Sequence, residues 1–199
     1  MLALVWFLNL FNFMDGIDGI AAGEAVFVAF GGAWLAAMSG LGDVAVILLV
    51  LGASALGFLP WNWHPAKIFM GDVGSGFLGA ALGVLAYAGV VADGSMLWAW
   101  IILVGVFVTD ATLTLGRRVL CGERWYQAHR SHAYQRAARR WGHLRTTAGV
   151  LGINAAWLLP MALLAATTPA MGLYIAALAY LPLILLALWL GAGIAEDPA

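Results

Sequence analysis

The sequence predicts an all-α, polytopic transmembrane helical bundle, with about six spans and a partial helix at the N-terminus. Three observations carry that expectation. Of 199 residues, 64% are hydrophobic and only 10% charged, whereas soluble domains carry about 25% charged residues. The mean hydropathy is +0.95, and long apolar runs recur along the whole chain. Those runs lack the short apolar/polar alternation of a membrane barrel, so strands are not expected. Residues 1–199 then form a single integral membrane domain, without internal repeat or flexible linker. The single cysteine, Cys121, excludes an intrachain disulfide and a multi-cysteine metal site.

The first run, Leu2–Phe13, is shorter than the roughly 20 residues that span a bilayer and reads as the tail of a helix begun upstream. Five fuller candidates follow: Ala22–Ser39, Val44–Leu59, Phe77–Ala92, Leu97–Leu115 and Thr147–Ala166, and then a sixth, Gly172–Ile194. No cleavable signal peptide is expected, because no basic n-region precedes the first apolar residues. Net charge is only −1, but its distribution is uneven. Lys67 lies in one loop, and Arg117, Arg118, Arg124, Arg130, Arg136, Arg139, Arg140 and Arg145 lie in another. The alternate connections, Gly40–Asp43, Ala92–Ser95 and Thr167–Met171, contain no Lys or Arg. The positive-inside rule places the basic loops, and by alternation the segment Asp15–Ala21, in the cytoplasm. Trp61, Trp63, Trp98 and Trp100 lie near span ends, as interfacial anchors do.

Three loops on that side carry polarity. In "NFMDGIDGIAAG", Asp15 and Asp18 stand at i, i+3 and would share a face if the segment were helical. Gly16, Gly19 and Gly23 permit close approach of a ligand or another backbone. The bland alternative is that Asp15 caps the following helix. In "LPWNWHPAKIFMGDVGSGFLG", Asp72 precedes Gly74, Ser75 and Gly76 at the start of a span. Free amides there suit a phosphate, with its metal at Asp72, although a turn and N-cap would use the same residues. In "RRVLCGERWYQAHRSHAYQRAARRWGHLR", His129 and His132 flank Arg130, with Arg136, Arg139 and Arg140 close behind. That cluster suits a pyrophosphate or lipid phosphate better than a metal; a solvated basic loop touching headgroups is its bland reading. Asp110, inside an apolar span, is either a functional carboxylate or an ion-pair partner of Arg117 and Arg118. Glu24 reads as a helix-dipole partner, and His64 and His143 as interfacial side chains without a role.

One membrane face thus offers three aspartates, a glycine-rich helix entry and a cationic histidine loop. Carboxylate oxygens suit Mg²⁺ with substrate phosphates in its shell, and cations stabilise a transferring phosphoryl group. The residues alone reach Mg²⁺-dependent phosphoryl-type transfer at the cytoplasmic membrane surface.

"NFMDGIDGIAAG", "KIFMGDVGSGFLG" and "HRSHAYQR" together resemble three cytoplasmic motifs of the polyprenyl-phosphate N-acetylaminosugar-1-phosphate transferases, in that family's order. The Trp-rich "FLPWNWHPAKIFMGD" is more similar to the O-antigen-initiating branch than to the muramyl-pentapeptide branch. The resemblance implies transfer of an N-acetylaminosugar 1-phosphate from a UDP-sugar to undecaprenyl phosphate, releasing UMP, in a bacterial inner membrane. It implies Mg²⁺ at Asp72, nucleotide-sugar positioning by Asp15, Asp18 and Asn12, and phosphate contacts from Gly74, Ser75, His129, Arg130 and His132. It further implies a homodimer and no nucleic-acid partner. The family's adjacent Asp-Asp pair has no counterpart here, and the resemblance covers only about the C-terminal half of the family, so the chain is expected to be part of a longer transferase.

Three rivals fare less well. An intramembrane aspartyl protease usually has Gly-x-Gly-Asp, where this chain has Phe69 in "FMGD", and a CDP-alcohol phosphotransferase needs an arginine that "DGIDGIAAG" lacks. A non-catalytic membrane fragment, transporter or assembly subunit would leave Asp15, Asp18 and Asp72 far apart.

Overall fold

A computed structural model describes residues 2–122 and 130–194, among which ten α-helices and no strand occur. In chain order they are α1 (Leu2–Met14), α2 (Ile20–Met38), α3 (Gly42–Asn62), α4 (Gly71–Ala92), α5 (Leu97–Leu103), α6 (Gly105–Leu120), α7 (Ala133–Trp141), α8 (His143–Ile153), α9 (Leu159–Thr167) and α10 (Gly172–Leu190). Five helical stretches are long and apolar enough to cross a membrane, or six if the bent pair α5–α6 forms one span. This is the all-α polytopic bundle that the composition predicts.

Helix α2 is apolar on every side except at Glu24 and occupies the centre, as such helices do; 72% of its span is buried, against 22% for α3. The outer helices instead expose their apolar side chains: Val46, Ile47 and Val50 on α3, and Leu178, Leu181 and Leu188 on α10. In a bilayer those faces meet lipid. Between α1 and α4 the backbones touch at Gly79, where a Cβ would come within 2.5 Å of the Phe7 carbonyl oxygen. Small residues permit such contact between helices that have no hydrophobic incentive to associate in lipid.

Two spans depart from straight helices. The run expected over Leu97–Leu115 bends by 72° between α5 and α6, and the Tyr180 hydroxyl donates at 2.7 Å to the Ile101 carbonyl near the break. A polar side chain thus meets a backbone acceptor where the helix ladder is interrupted. The segment from α8 to α9 passes through a π-turn at Asn154–Leu158, just before Pro160 removes an amide donor. There Asn154 donates to Glu24 Oε2 at 2.5 Å, and both residues are fully buried. Glu24 is therefore an interhelical partner inside the bundle rather than a helix-dipole partner.

Candidate active site

The connections α1–α2, α3–α4 and α6–α7–α8 meet at one end of the bundle. Residues 15–19 form a turn, not a helix, and Gly19 takes a left-handed conformation at φ 75°. This position is the N-cap of α2 and has no side-chain cap, so the capping role considered for Asp15 is not realised. The same turn sends the two aspartates toward different partners, instead of along one helical face. The Gly19 amide donates to Asn62 Oδ1 at 3.1 Å, and Asn62 Nδ2 donates to the Ile68 carbonyl at 2.9 Å. Buried Asn62 thereby ties the first polar loop to the second.

Asp15 faces Asp72, which lies exposed in the first turn of α4. Burial, and then the negative charge of Asp72, push the Asp15 carboxyl up to about 6. Helix α4 begins at Gly71, so Gly74 and Ser75 lie within its opening turns. The buried Ser75 hydroxyl donates to the Gly71 carbonyl at 3.2 Å and accepts from Asn12 Nδ2 at 3.4 Å. Asn12 and Ser75 thus join the first and second motifs beneath the Asp15–Asp72 pair.

Asp18 turns the other way. Its Oδ2 lies 2.6 Å from His64 Nδ1 and accepts from the Ala66 amide at 3.3 Å, while Oδ1 lies 3.2 Å from His143 Nδ1. Burial works to raise the Asp18 carboxyl, but contacts from His64, the Ala66 amide and His143 outweigh it and hold the carboxyl below its ordinary value. His64 and His143 are therefore not bystanders at an interface. Thr147 at the start of the α8 span donates to the Asp18 carbonyl at 2.8 Å and fixes the turn from beneath.

The third loop is anchored by Asp110. This carboxylate, 4% exposed, accepts from the Ala133 amide at 2.9 Å and the Tyr134 amide at 2.8 Å, the first two of α7. It also accepts from His132 Nδ1 and the Thr114 hydroxyl, each at 3.1 Å. A carboxylate on α6 thus caps a helix 23 residues downstream, which explains an aspartate in an apolar span. His132 is buried against Asp110 and stacks on Phe13, with ring centroids 6.4 Å apart. The Tyr134 hydroxyl donates to the Phe13 carbonyl at 3.0 Å. Burial, and then the charge of Asp110, raise the Tyr134 hydroxyl above its usual range, so it stays a neutral donor.

Arg130 is exposed, and its carbonyl accepts from both terminal nitrogens of Arg139 at 3.2 Å. The two arginines, Gln135 and His143 line a pocket of about 600 Å³ whose far wall is Gly16 and Ile17. The cationic loop therefore borders the turn that carries Asp15 and Asp18. His129 lies outside the described residues. Sequence reasoning did not assign roles to Asn62, His64, His143 or Tyr134, because each acts through a partner dozens of residues away. The one signal was their position in the same three polar loops.

Residues 1–90 match the family model "Glycosyl transferase family 4". The chain is 39% identical over 141 residues to a probable undecaprenyl-phosphate N-acetylglucosaminyl 1-phosphate transferase of Bacillus subtilis, covering 68% of this chain and 38% of that protein. It is 47% identical over 85 residues to the phospho-N-acetylmuramoyl-pentapeptide-transferase of Moorella thermoacetica, covering 43% of this chain and 27% of that one. A third relative of the latter name, from Desulforamulus reducens, is 50% identical over 72 residues, covering 36% and 22%. The chain thus spans only 22% to 38% of the length of these three relatives. With the motifs of the first two polar loops inside the matched residues, the chain belongs to glycosyl transferase family 4, among the polyprenyl-phosphate sugar-phosphate transferases.

Proposed function

We propose that this chain contributes the nucleotide-sugar side of a transferase that moves an N-acetylaminosugar 1-phosphate from a UDP-sugar to undecaprenyl phosphate. A phosphate oxygen of the lipid attacks the β-phosphorus of the UDP-sugar. A new P–O bond forms, the bond to the α-phosphate breaks, and UMP leaves. The observation that carries this reading is that Asp15, which interacts with Asp72, adjoins the Gly16–Ile17 turn walling the pocket that Arg130 and Arg139 line, so three loops far apart in sequence converge.

Asp72 and Asp15 fit a hard dication: both offer carboxylate oxygens, and burial together with the charge of Asp72 raises the Asp15 carboxyl to about 6, a like-charge strain that a dication would relieve. Mg²⁺ bound there would neutralise phosphate oxygens of the donor. Arg130 and Arg139 supply fixed positive charge toward a diphosphate. Gly16 lines the pocket and, with no side chain, makes room for the Tyr134 hydroxyl behind it, and Asn12 holds the two aspartate motifs together through Ser75. The setting is a bacterial cytoplasmic membrane with the basic loops inward, the lipid acceptor arriving from the bilayer. N-acetylglucosamine is the amino sugar that the name of the Bacillus subtilis relative points to.

The test is UMP release from UDP-N-acetylglucosamine by membranes containing the chain and undecaprenyl phosphate, with and without Mg²⁺, alongside Asp72→Asn. Mg²⁺-dependent release that Asp72→Asn abolishes, with membrane insertion intact, is the expected result. Release that ignores both Mg²⁺ and the substitution would remove Asp72 from the metal role, and no release from inserted protein would favour a non-catalytic part.

A further inference from the structure

We infer that Asp18, His64 and His143 form a second metal site, selective for a borderline d-block dication such as Zn²⁺ and separate from the oxygen-only pair Asp15 and Asp72. The argument is geometric. Each of the three side chains offers one ligand atom, and these atoms all lie within 4.8 Å of one another. They come from three separate elements: the turn after α1, the loop after α3 and the first residue of α8. Tetrahedral Zn²⁺ with bonds near 2.0–2.1 Å places its donors about 3.3 Å apart. His143 Nδ1 stands 3.2 Å from Asp18 Oδ1, already that spacing, whereas His64 Nδ1 stands 2.6 Å from the other oxygen, Oδ2, and has to move by about 0.7 Å to share an ion. His64 has room to move, since its side chain is 43% exposed.

The ligand atom of His143 is the second observation. Its Nδ1 is buried and stands 3.2 Å from Asp18 Oδ1, close enough to lower that carboxyl but poorly aligned for a hydrogen bond. The nitrogen is thus close to the carboxylate but off the line on which an N–H would be shared, as expected of two ligands turned toward a common third atom. The surroundings also resemble a metal site's outer shell. The Ala66 amide donates to Asp18 Oδ2 at 3.3 Å and orients the carboxylate, while Thr147 donates to the Asp18 backbone carbonyl at 2.8 Å and holds the turn. His143 borders the 600 Å³ pocket, which gives an ion a route in and leaves a fourth position open to water or an anion.

Donor chemistry sets the selectivity. Two imidazole nitrogens and one carboxylate favour Zn²⁺, and in vitro Co²⁺, Ni²⁺ or Cu²⁺, over Mg²⁺, which demands oxygen and keeps its waters. Both rings must present a lone pair at Nδ1, so their ring protons move to Nε2 on binding.

The experiment is direct binding, measured on the purified chain in detergent. Zn²⁺ is titrated calorimetrically, and Co²⁺ is followed by its visible absorption, in the presence of excess Mg²⁺. One saturable Zn²⁺ site per chain and an intense tetrahedral-type Co²⁺ spectrum are expected. His64→Gln and His143→Gln should each weaken binding by at least roughly tenfold, as loss of a ligand exceeds the ~10–100-fold effect of losing an outer-shell partner. Asp72→Asn should leave Zn²⁺ affinity unchanged, which separates this site from the proposed Mg²⁺ position. Both histidines are substantially exposed, so these variants are expected to fold; a circular-dichroism melt establishes it. Absence of saturable binding, binding that survives both substitutions, or displacement of Zn²⁺ by millimolar Mg²⁺ would overturn the assignment and leave a hydrogen-bonded clasp. None of these outcomes depends on turnover, so the transferase reading and this one fail separately.

Discussion

Replacing Asp110 with alanine should release the basic loop from the bundle. The carboxylate accepts two α7 amides, one imidazole N–H and one hydroxyl, all within 3.1 Å. Losing a helix cap alone costs about 0.5–2 kcal/mol, and each buried donor left unmatched costs about 1–3 kcal/mol. Water entering the space left by the carboxylate recovers part of this, so a net loss of roughly 3–5 kcal/mol is expected for docking of α7. At 1.36 kcal/mol per decade, that is a rise of roughly a hundredfold to several thousandfold in the local opening constant. Amide hydrogen exchange read by mass spectrometry on peptides covering Ala133 and Tyr134 should accelerate by that factor, with peptides from the centre of α2 unchanged as the internal control. Asp110→Asn keeps one acceptor oxygen and should lose only about 1–2 kcal/mol. Acceleration of less than about tenfold in Asp110→Ala would refute the capping argument, because the amides would then be held by something other than this carboxylate.

Two further outcomes follow from the same geometry. The Asp15 carboxyl should titrate near 6, against an ordinary 3.8; between those values the folded state holds more protons than the unfolded one, so this group makes stability fall as pH rises through that window. Asp72→Asn removes the charge that helps raise it, so carboxyl ¹³C shifts followed against pH should show the midpoint moving down; an unmoved or raised midpoint would contradict the pairing. Gly16→Ala places a Cβ 2.1 Å from the Tyr134 hydroxyl oxygen, and overpacking of this kind costs about 1–3 kcal/mol. Tyr134→Phe removes that oxygen, along with its bond to the Phe13 carbonyl, so thermal melts of the single and double variants should be strongly non-additive. Additive losses would mean that the two residues do not meet.

Much of the fold was legible because a bilayer imposes length and apolarity on each span separately, and those are local properties of the chain. The run Val44–Leu59 falls within α3 and Gly172–Ile194 begins with α10, and the unequal distribution of arginines separated the two sets of connections. Asp15, Asp18 and Asp72 stood out for a related reason: carboxylates near apolar runs are costly, so they needed a partner. What those partners are is not a local property. The carbonyl beside the α5–α6 bend is met by Tyr180, nearly eighty residues further along the chain. Asp110 appeared an intramembrane charge until α7 folded back onto it, and Glu24 a dipole partner until Asn154 arrived from the π-turn. His64 and His143 gained a role only by meeting across Asp18. Hydropathy and charge placement along the chain decided which segments cross and which loops cluster; hydrogen bonds and electrostatics are short-ranged, so tertiary packing alone decided which aspartate faces another carboxylate and which faces two imidazoles.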